Sequence, residues 1–277
     1  MKIAAIVYDT FRECLVKKII LSFFIASTIG ILGIFAIFNI DIIGNNVAIS
    51  FLFFGGEELT SLGQFEDIII KVEAFFAMAL FTLGLFISLF ATADLTPSMM
   101  TKGRLDLYLA RPISRAQLLF GKYCGAVAVA AINILYAIVG LWLVIGIKTG
   151  VWNVNFLYTG LNIIFMFSVL YTFIMLIGIF TKNTVVNIIA VSTMVFMNFI
   201  LSIIKKADVF PIINNKWLEH ITDLLYWITP QYFDISIITM NLVEGKTMPS
   251  WTPVISSLLI AAAVMNLSLY IFSKKDC

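Results

Sequence analysis

The chain has 277 residues, of which 61% are hydrophobic and only 12% charged, with a mean hydropathy of +1.03 and a formal net charge of +2. Soluble domains run at roughly 45–50% apolar and about 25% charged, and 18 Lys and Arg with 16 Asp and Glu cannot coat a water-facing surface of this size. The balance places the chain in a bilayer and excludes a disordered chain, a disulfide-stapled secreted domain and a nucleic-acid partner, since the few basic residues are scattered.

Residues 2–17 form an amphipathic helix in the sequence pattern. Ile3, Ala4, Val7, Tyr8, Phe11, Cys14 and Leu15 share one face, while Lys2, Asp9, Arg12 and Glu13 occupy the other. Such a helix (1–18) lies in the inner headgroup layer, with its basic residues toward anionic lipid. The run Ile19–Ile40 is longer than the apolar core of a secretory leader and ends in no small-x-small cleavage site, so it is read as a first span. Val47–Phe54 is too short to cross and is expected to be an interfacial or packed segment of the first outer loop. Five more runs follow: 74–93, 123–147, 156–180, 183–204 and 254–272. All are continuously apolar, unlike the alternating strands of a membrane barrel, so the expected fold is all-α with six transmembrane helices in a single permease-like unit over 1–277.

Basic residues set the orientation. With the N-terminus inside, the inner pieces hold Lys2, Arg12, Lys17, Lys18, Lys102, Arg104, Arg111, Arg115, Lys122, Lys182, Lys274 and Lys275, against the acids Asp9, Glu13, Asp94, Asp106 and Asp276. The outer pieces carry the other acids, with Glu57, Glu58, Glu66, Asp67 and Glu73 clustered in the first outer loop. Both termini are therefore expected to be cytoplasmic, in the cell's cytoplasmic (inner) membrane.

The loop 94–122 is the most informative. Thr96 with Pro97 is a helix-start signal. Gly103 and Pro112 then bracket a short element in which Leu105, Leu107 and Leu109 suit a strand as well as a helix. Ser114 and Gln117 make a capping box, with Ile113 and Leu118 as its hydrophobic staple. From Arg115 the helix runs on to Ile147, about 50 Å against a hydrocarbon core of about 30 Å, so the third span projects from the membrane. Gly121 and Gly125 form a small-residue face for close helix packing, within one chain or between two.

At these residues the sequence resembles the permease subunits of ABC transporters, in the type 2 membrane-domain family of six-span half-transporters. Gly103, the leucines at 105, 107 and 109, Arg111-Pro112-Ile113-Ser114-Arg115 and Gly121-Lys122 carry the resemblance, and the six spans and Lys274-Lys275-Asp276 tail extend it. A glutamate common in the family shortly before the glycine is absent here, where Ser98 to Lys102 stand. The resemblance implies a subunit that moves its substrate, outward by family habit, and hydrolyses nothing itself. ATP and Mg would sit on a separate ABC ATPase, and this chain would carry no cofactor. It implies a homodimer or a paired paralogous permease. It also implies an ATPase that grips a coupling helix near Thr96–Ala110, with Gly103, Arg104, Arg111, Pro112, Ser114 and Arg115 as coupling residues. The alternative is that both arginines serve only as headgroup anchors.

The segment 205–251 is a long outer piece. Trp217, Leu218, Ile221, Leu224 and Leu225 fall at helical spacing, Tyr232–Leu242 is a second amphipathic stretch, and Trp217, Tyr226, Trp227, Tyr232 and Trp251 suit an interfacial belt. By resemblance these are short helices capping the exit of a pathway, with contact to substrate or a periplasmic or extracellular partner as their other use.

Other chemistry is thin. His220 is the single histidine, Cys14, Cys124 and Cys277 form no metal spacing, and Gly245-Lys246-Thr247 ends like a phosphate loop but has Met240 where the first glycine belongs. Ionisable residues appear in the spans only at their ends, as Glu73 and Asp94, which argues against an ion-coupled carrier. The polar residues inside are amides such as Asn133, Asn162, Asn187, Asn198 and Asn266, which suit helix bridging. The competing reading is an ATPase-independent six-span protein: a channel, a secondary carrier or an assembly scaffold.

Overall fold

The computed structural model describes residues 2–43, 46–51, 54–59, 62–101, 103, 113–206, 216–247 and 250–274. Helix α1 (Lys2–Val16) is followed by α2 (Ile19–Ile37), the two separated by a left-handed break at Lys18, φ 58°. Then come α3 (Leu62–Ala79), a π-helical turn (Leu80–Gly84), α4 (Leu85–Thr92) and the short α5 (Leu95–Met99). They are followed by α6 (Arg115–Thr149), α7 (Val154–Thr181), α8 (Thr184–Lys206), α9 (Lys216–Ile228), α10 (Tyr232–Val243) and α11 (Thr252–Lys274). Six of these stretches are long and apolar enough to cross a bilayer: α2, the run Phe65–Met99, α6, α7, α8 and α11. With these six crossings, α1 and the end of α11 fall on one face.

The spanning part is all helical, as its sequence reads. Outside it, a three-stranded antiparallel meander joins α2 to α3: β1 (Phe38–Ile43), β2 (Asn46–Phe51) and β3 (Phe54–Leu59), paired in the order β1-β2-β3. Phe38 faces Phe51 and Ile43 faces Asn46 across the first pair. The segment Val47–Phe54, expected to be interfacial or packed, therefore supplies a central strand whose neighbours satisfy its backbone.

The second long helix begins at Leu62, well before the apolar run at Ala74. Glu66, Asp67 and Lys71 interrupt the run but lie on its exposed side, while Phe65 and Ile69, one turn apart, pack against Ile145 of α6. Helix α6 starts where the capping box predicts. Gln117 N donates to Ser114 Oγ at 3.2 Å and Ser114 N donates to Gln117 Oε1 at 3.3 Å. Its 35 residues end at Gly150, whose left-handed φ of 74° stops the helix. At about 1.5 Å per residue α6 is about 52 Å long and overhangs the bilayer.

Helix α7 is the core of the bundle, touching α6, α8, α10 and α11. Phe156, Ile163, Met166, Phe167, Leu170 and Tyr171 along it are fully buried. Helix α10 is not a surface cap. It is wedged among α3, α7 and α8, and Tyr232 at its start packs at a tilt against Phe81, ring centroids 5.1 Å apart, in the middle of the second span. Tyr232 is thus a buried residue and leaves the expected belt, whereas Trp217, Trp227 and Trp251 are exposed. Non-helical backbone at this depth needs partners. Asn198 of α8 donates to Thr229 Oγ1 at 3.1 Å and accepts from Phe233 N at 3.4 Å, and Gln231 N donates to Ser257 Oγ of α11 at 3.0 Å.

Candidate functional site

The expected coupling residues fall at the start of α6. Ser114 is its N-cap and Arg115 its first residue. Gly103 holds a left-handed φ of 89° with open space around it, a backbone shape that favours glycine. Arg104, Arg111, Pro112 and the leucines between them lie outside the described residues, as does the tail 275–277. The beginning of the expected coupling helix is inside the bundle instead. Leu95, Thr96, Pro97 and Met99 of α5 are buried against α6 and α7, and Gly178 of α7 leaves the room that Thr96 takes. Pro97 stands at the third residue of α5, not its first. Most of 95–100 is thus packed inside the bundle, and of the residues just beyond it Thr101 and Gly103 are exposed.

Gly121 and Gly125, two successive turns into α6, face α1. A Cβ on Gly121 would lie 2.7 Å from Ile6, and one on Gly125 would lie 2.6 Å from Thr10. The face of α1 that docks there is Ile6, Thr10 and Cys14, all buried, at spacings of four. Ile3, Tyr8 and Leu15 remain exposed on the adjoining arc. The lead-in helix is therefore bonded to the bundle on one flank and apolar on the next.

An ion network closes this contact. Lys122 of α6, its side chain 2% exposed, donates to Glu13 Oε2 at 2.8 Å and to Asp9 Oδ2 at 3.5 Å. Glu13 Oε1 pairs with Lys17 at 2.9 Å, and Lys17 reaches Asp94 Oδ2 at 2.8 Å and Ser98 Oγ at 3.3 Å. Asp94 Oδ1 accepts from Thr184 Oγ1 of α8 at 3.0 Å. Four pieces of chain that are far apart in sequence meet here: α1, the exit of the second span, the entry of the third and the start of α8. Burial alone would raise the Glu13 carboxyl, but the hydrogen bond and charge of Lys122, with Lys17 behind it, bring it down to about 2. Burial likewise works against the Lys17 ammonium, and its bonds to Asp94 and Glu13 outweigh that and hold it above its ordinary value.

From the sequence Asp9, Glu13, Lys17 and Lys122 serve as topology markers, and Lys122 also as part of the Gly121-Lys122 motif. A usable signal was there: Glu13 and Lys17 stand four apart on a helix, the better orientation for a pair. A second correction concerns charge inside the spans. Because α3 begins early, Glu73 is not at a span end but within the helix Phe65–Met99, fully buried, its two oxygens without a hydrogen-bond partner among the described residues. Lys122 is a second buried charge.

The amides divide. Asn162 donates to Thr239 of α10 at 3.2 Å, Asn187 accepts from Thr181 at 3.0 Å, and Asn198 spans to the α9–α10 turn, so these three bridge elements. Asn133 and Asn266 donate only within their own helices, to Val129 and Ala262. His220 is exposed on α9 and shows no metal-like grouping among the described residues. Gly245 makes a left-handed turn, and Lys246 beside it pairs with Glu244, as an ordinary helix exit would.

No curated protein matches the chain. The family model described as ABC-2 family transporter protein matches residues 16–277, which takes in every span, the Asp94–Lys122 junction and the α9–α10 wedge, and the chain belongs to that family.

Proposed function

We propose that the chain is the permease subunit of an ABC exporter of the cytoplasmic membrane, with both termini in the cytoplasm. It works as a dimer of two copies, or of one copy with a paralogue, driven by two cytoplasmic ATPase subunits that hold ATP and Mg. A transport role without catalysis in this chain, and an ABC ATPase as partner, accord with family membership in general. The observation that carries the reading is the buried Lys122–Glu13 pair at the foot of α6. In sequence the basic segment 103–115 leads directly into α6, whose N-cap is Ser114 and whose first residue is Arg115. Within two turns of that cap α6 is fastened to α1 and, through Lys17 and Asp94, to the second span and α8. A push on the segment by a closing ATPase dimer therefore moves a joined set of helices together, and rigid joined elements are what an interface stroke needs to become a tilt of spans.

The test is reconstitution of the permease with its ATPase. Replacing Arg111 and Arg115 with Glu leaves insertion and dimerisation intact and abolishes stimulation of ATP hydrolysis by the membrane subunit. Unchanged stimulation in the double variant overturns the assignment of the 103–115 segment. Substrate flux that persists with no ATPase present overturns the ABC reading in favour of a channel or carrier.

A further inference from the structure

A cavity of about 480 Å³ opens on the side of the bundle between α2 and the α3–α4 stretch. Sites that take small molecules run from about 300 to 1,000 Å³. Its origin is mechanical. Helix α2 leans chiefly on α6, where Gly140 leaves room for Ile31, and a gap remains between α2 and the second span. The π-helical turn contributes Leu80, Leu83 and Gly84 to one wall. Such turns widen a helix and recur at functional positions. The rim faces outward, since Phe75 and Leu83 are 68% and 64% exposed, so the opening gives onto the bilayer.

The wall is apolar except at Ser27, Ser88 and Asn133, and Asn133 decides the chemistry because it keeps an unmet acceptor. Asn133 of α6 lines the cavity and is 3% exposed. Its amide nitrogen donates to Val129 O at 2.8 Å, while its side-chain oxygen has no hydrogen-bond partner among the described residues. An orphaned buried acceptor destabilises its surroundings unless something donates to it. Ser88, also on the wall, already spends its hydroxyl on Gly84 O at 2.7 Å.

We infer that this cavity is a binding site for a lipophilic molecule that enters from the bilayer and carries one hydrogen-bond donor, a hydroxyl or N–H group, which it gives to the Asn133 oxygen. The apolar body fills the space along α2 and the π-helical turn, and the donor relieves the orphaned amide. A long-chain alcohol-like lipid resident in the membrane and a transported amphiphile share this chemistry. The site belongs to the single chain and does not depend on the transport reading.

The test uses two photoreactive probes in nanodiscs holding the full-length protein: a hexadecanol with a diazirine in its chain, and its methyl ether, which lacks the donor. The expected result is that the alcohol labels the peptides around Phe23–Ile34 and Asn133–Leu141, and that the ether labels them about ten-fold less. Asn133→Leu brings the alcohol down to the level of the ether. Gly30→Phe fills the cavity from a position with no atom within 4 Å of the new Cβ, so the bundle is not strained, and it abolishes labelling by both. Equal labelling by the two probes, or labelling untouched by Gly30→Phe in a protein that still runs as a single species on gel filtration, overturns the inference. With the ATPase added, label that stays through turnover identifies a resident lipid, and label that moves to another surface identifies a transported molecule.

Discussion

Removing the Glu13 charge should release α1 from α6, and the size of the effect follows from the network. A carboxyl held at about 2 against an ordinary 4.5 marks a charged form favoured in the docked state by about 3 kcal/mol, at about 1.4 kcal/mol per tenfold. Glu13→Gln forfeits that and also takes from the buried Lys122 its 2.8 Å carboxylate partner, while Asp9 stands farther off at 3.5 Å and is half exposed. Cys14, one residue along, reports the release. Its side chain is fully buried in the docked state and burial pushes its thiol up to about 11. In a variant with Cys124→Ser and Cys277→Ser, modification of Cys14 by N-ethylmaleimide follows the open population. Glu13→Gln should speed it about 100-fold. Losing the Glu13 charge also lowers the thiol's pKa, so a second variant separates the causes. Lys122→Met removes a cation and raises that pKa, yet it too breaks the pair and should accelerate labelling, though less. Acceleration in the first variant with slowing in the second would refute the docking argument. The sign in pH is fixed as well: the folded value is depressed, so the stabilisation is complete above 4.5 and is lost as pH falls from 4.5 toward 2.

Three further outcomes are expected. Gly125→Leu drives a side chain into Thr10 and should expose Cys14 without touching a charge, while Gly33→Ala, in open space, should leave labelling and Tm unchanged; protection retained in Gly125→Leu would contradict the contact. Glu73→Gln replaces a fully buried carboxyl group that has no ion pair among the described residues with a neutral amide and should raise the Tm in detergent, by roughly 1–2 kcal/mol of stability, and a lowered Tm would mean that Glu73 has a charge partner. Asn198→Leu removes both side-chain bonds at the buried break, the one to Thr229 Oγ1 and the one from Phe233 N, and should cost about 2 kcal/mol, seen as faster hydrogen exchange across 229–235, whereas unchanged exchange there would show that the amide is dispensable.

The spans were legible because lipid imposes composition, and an uninterrupted apolar run has few other uses. The start of α6 was legible because a capping box is local chemistry, readable in Ser114 and Gln117 alone. What escaped was nonlocal. The early start of α3 was hidden because Glu66, Asp67 and Lys71 break an apolar run without breaking a helix. The depth of Tyr232 was hidden because an aromatic near a span end reads as a belt residue whether it faces headgroups or Phe81. The Lys122 network could not be read because its partners are 109 and 113 positions apart, and each charge alone satisfies an orientation rule. The π-helical turn has no composition signal in Leu80–Gly84 that separates it from the helix around it.

The α9–α10 wedge sets a timetable for the chain as it is made. Helix α10 has 12 residues, too few to cross where about 20 are needed, and it cannot rest in lipid by itself. The break before it is satisfied by Asn198, which precedes it in the chain, and by Ser257, which follows it in the last span. During synthesis the first of these is present and the second is not. The wedge can therefore seat against α3, α7 and α8 before α11 enters, but the Gln231 N–H at its break gains its Ser257 partner only with the last span. A chain stopped before α11 would leave that one N–H unpaired at a buried break, and the final span is what closes it.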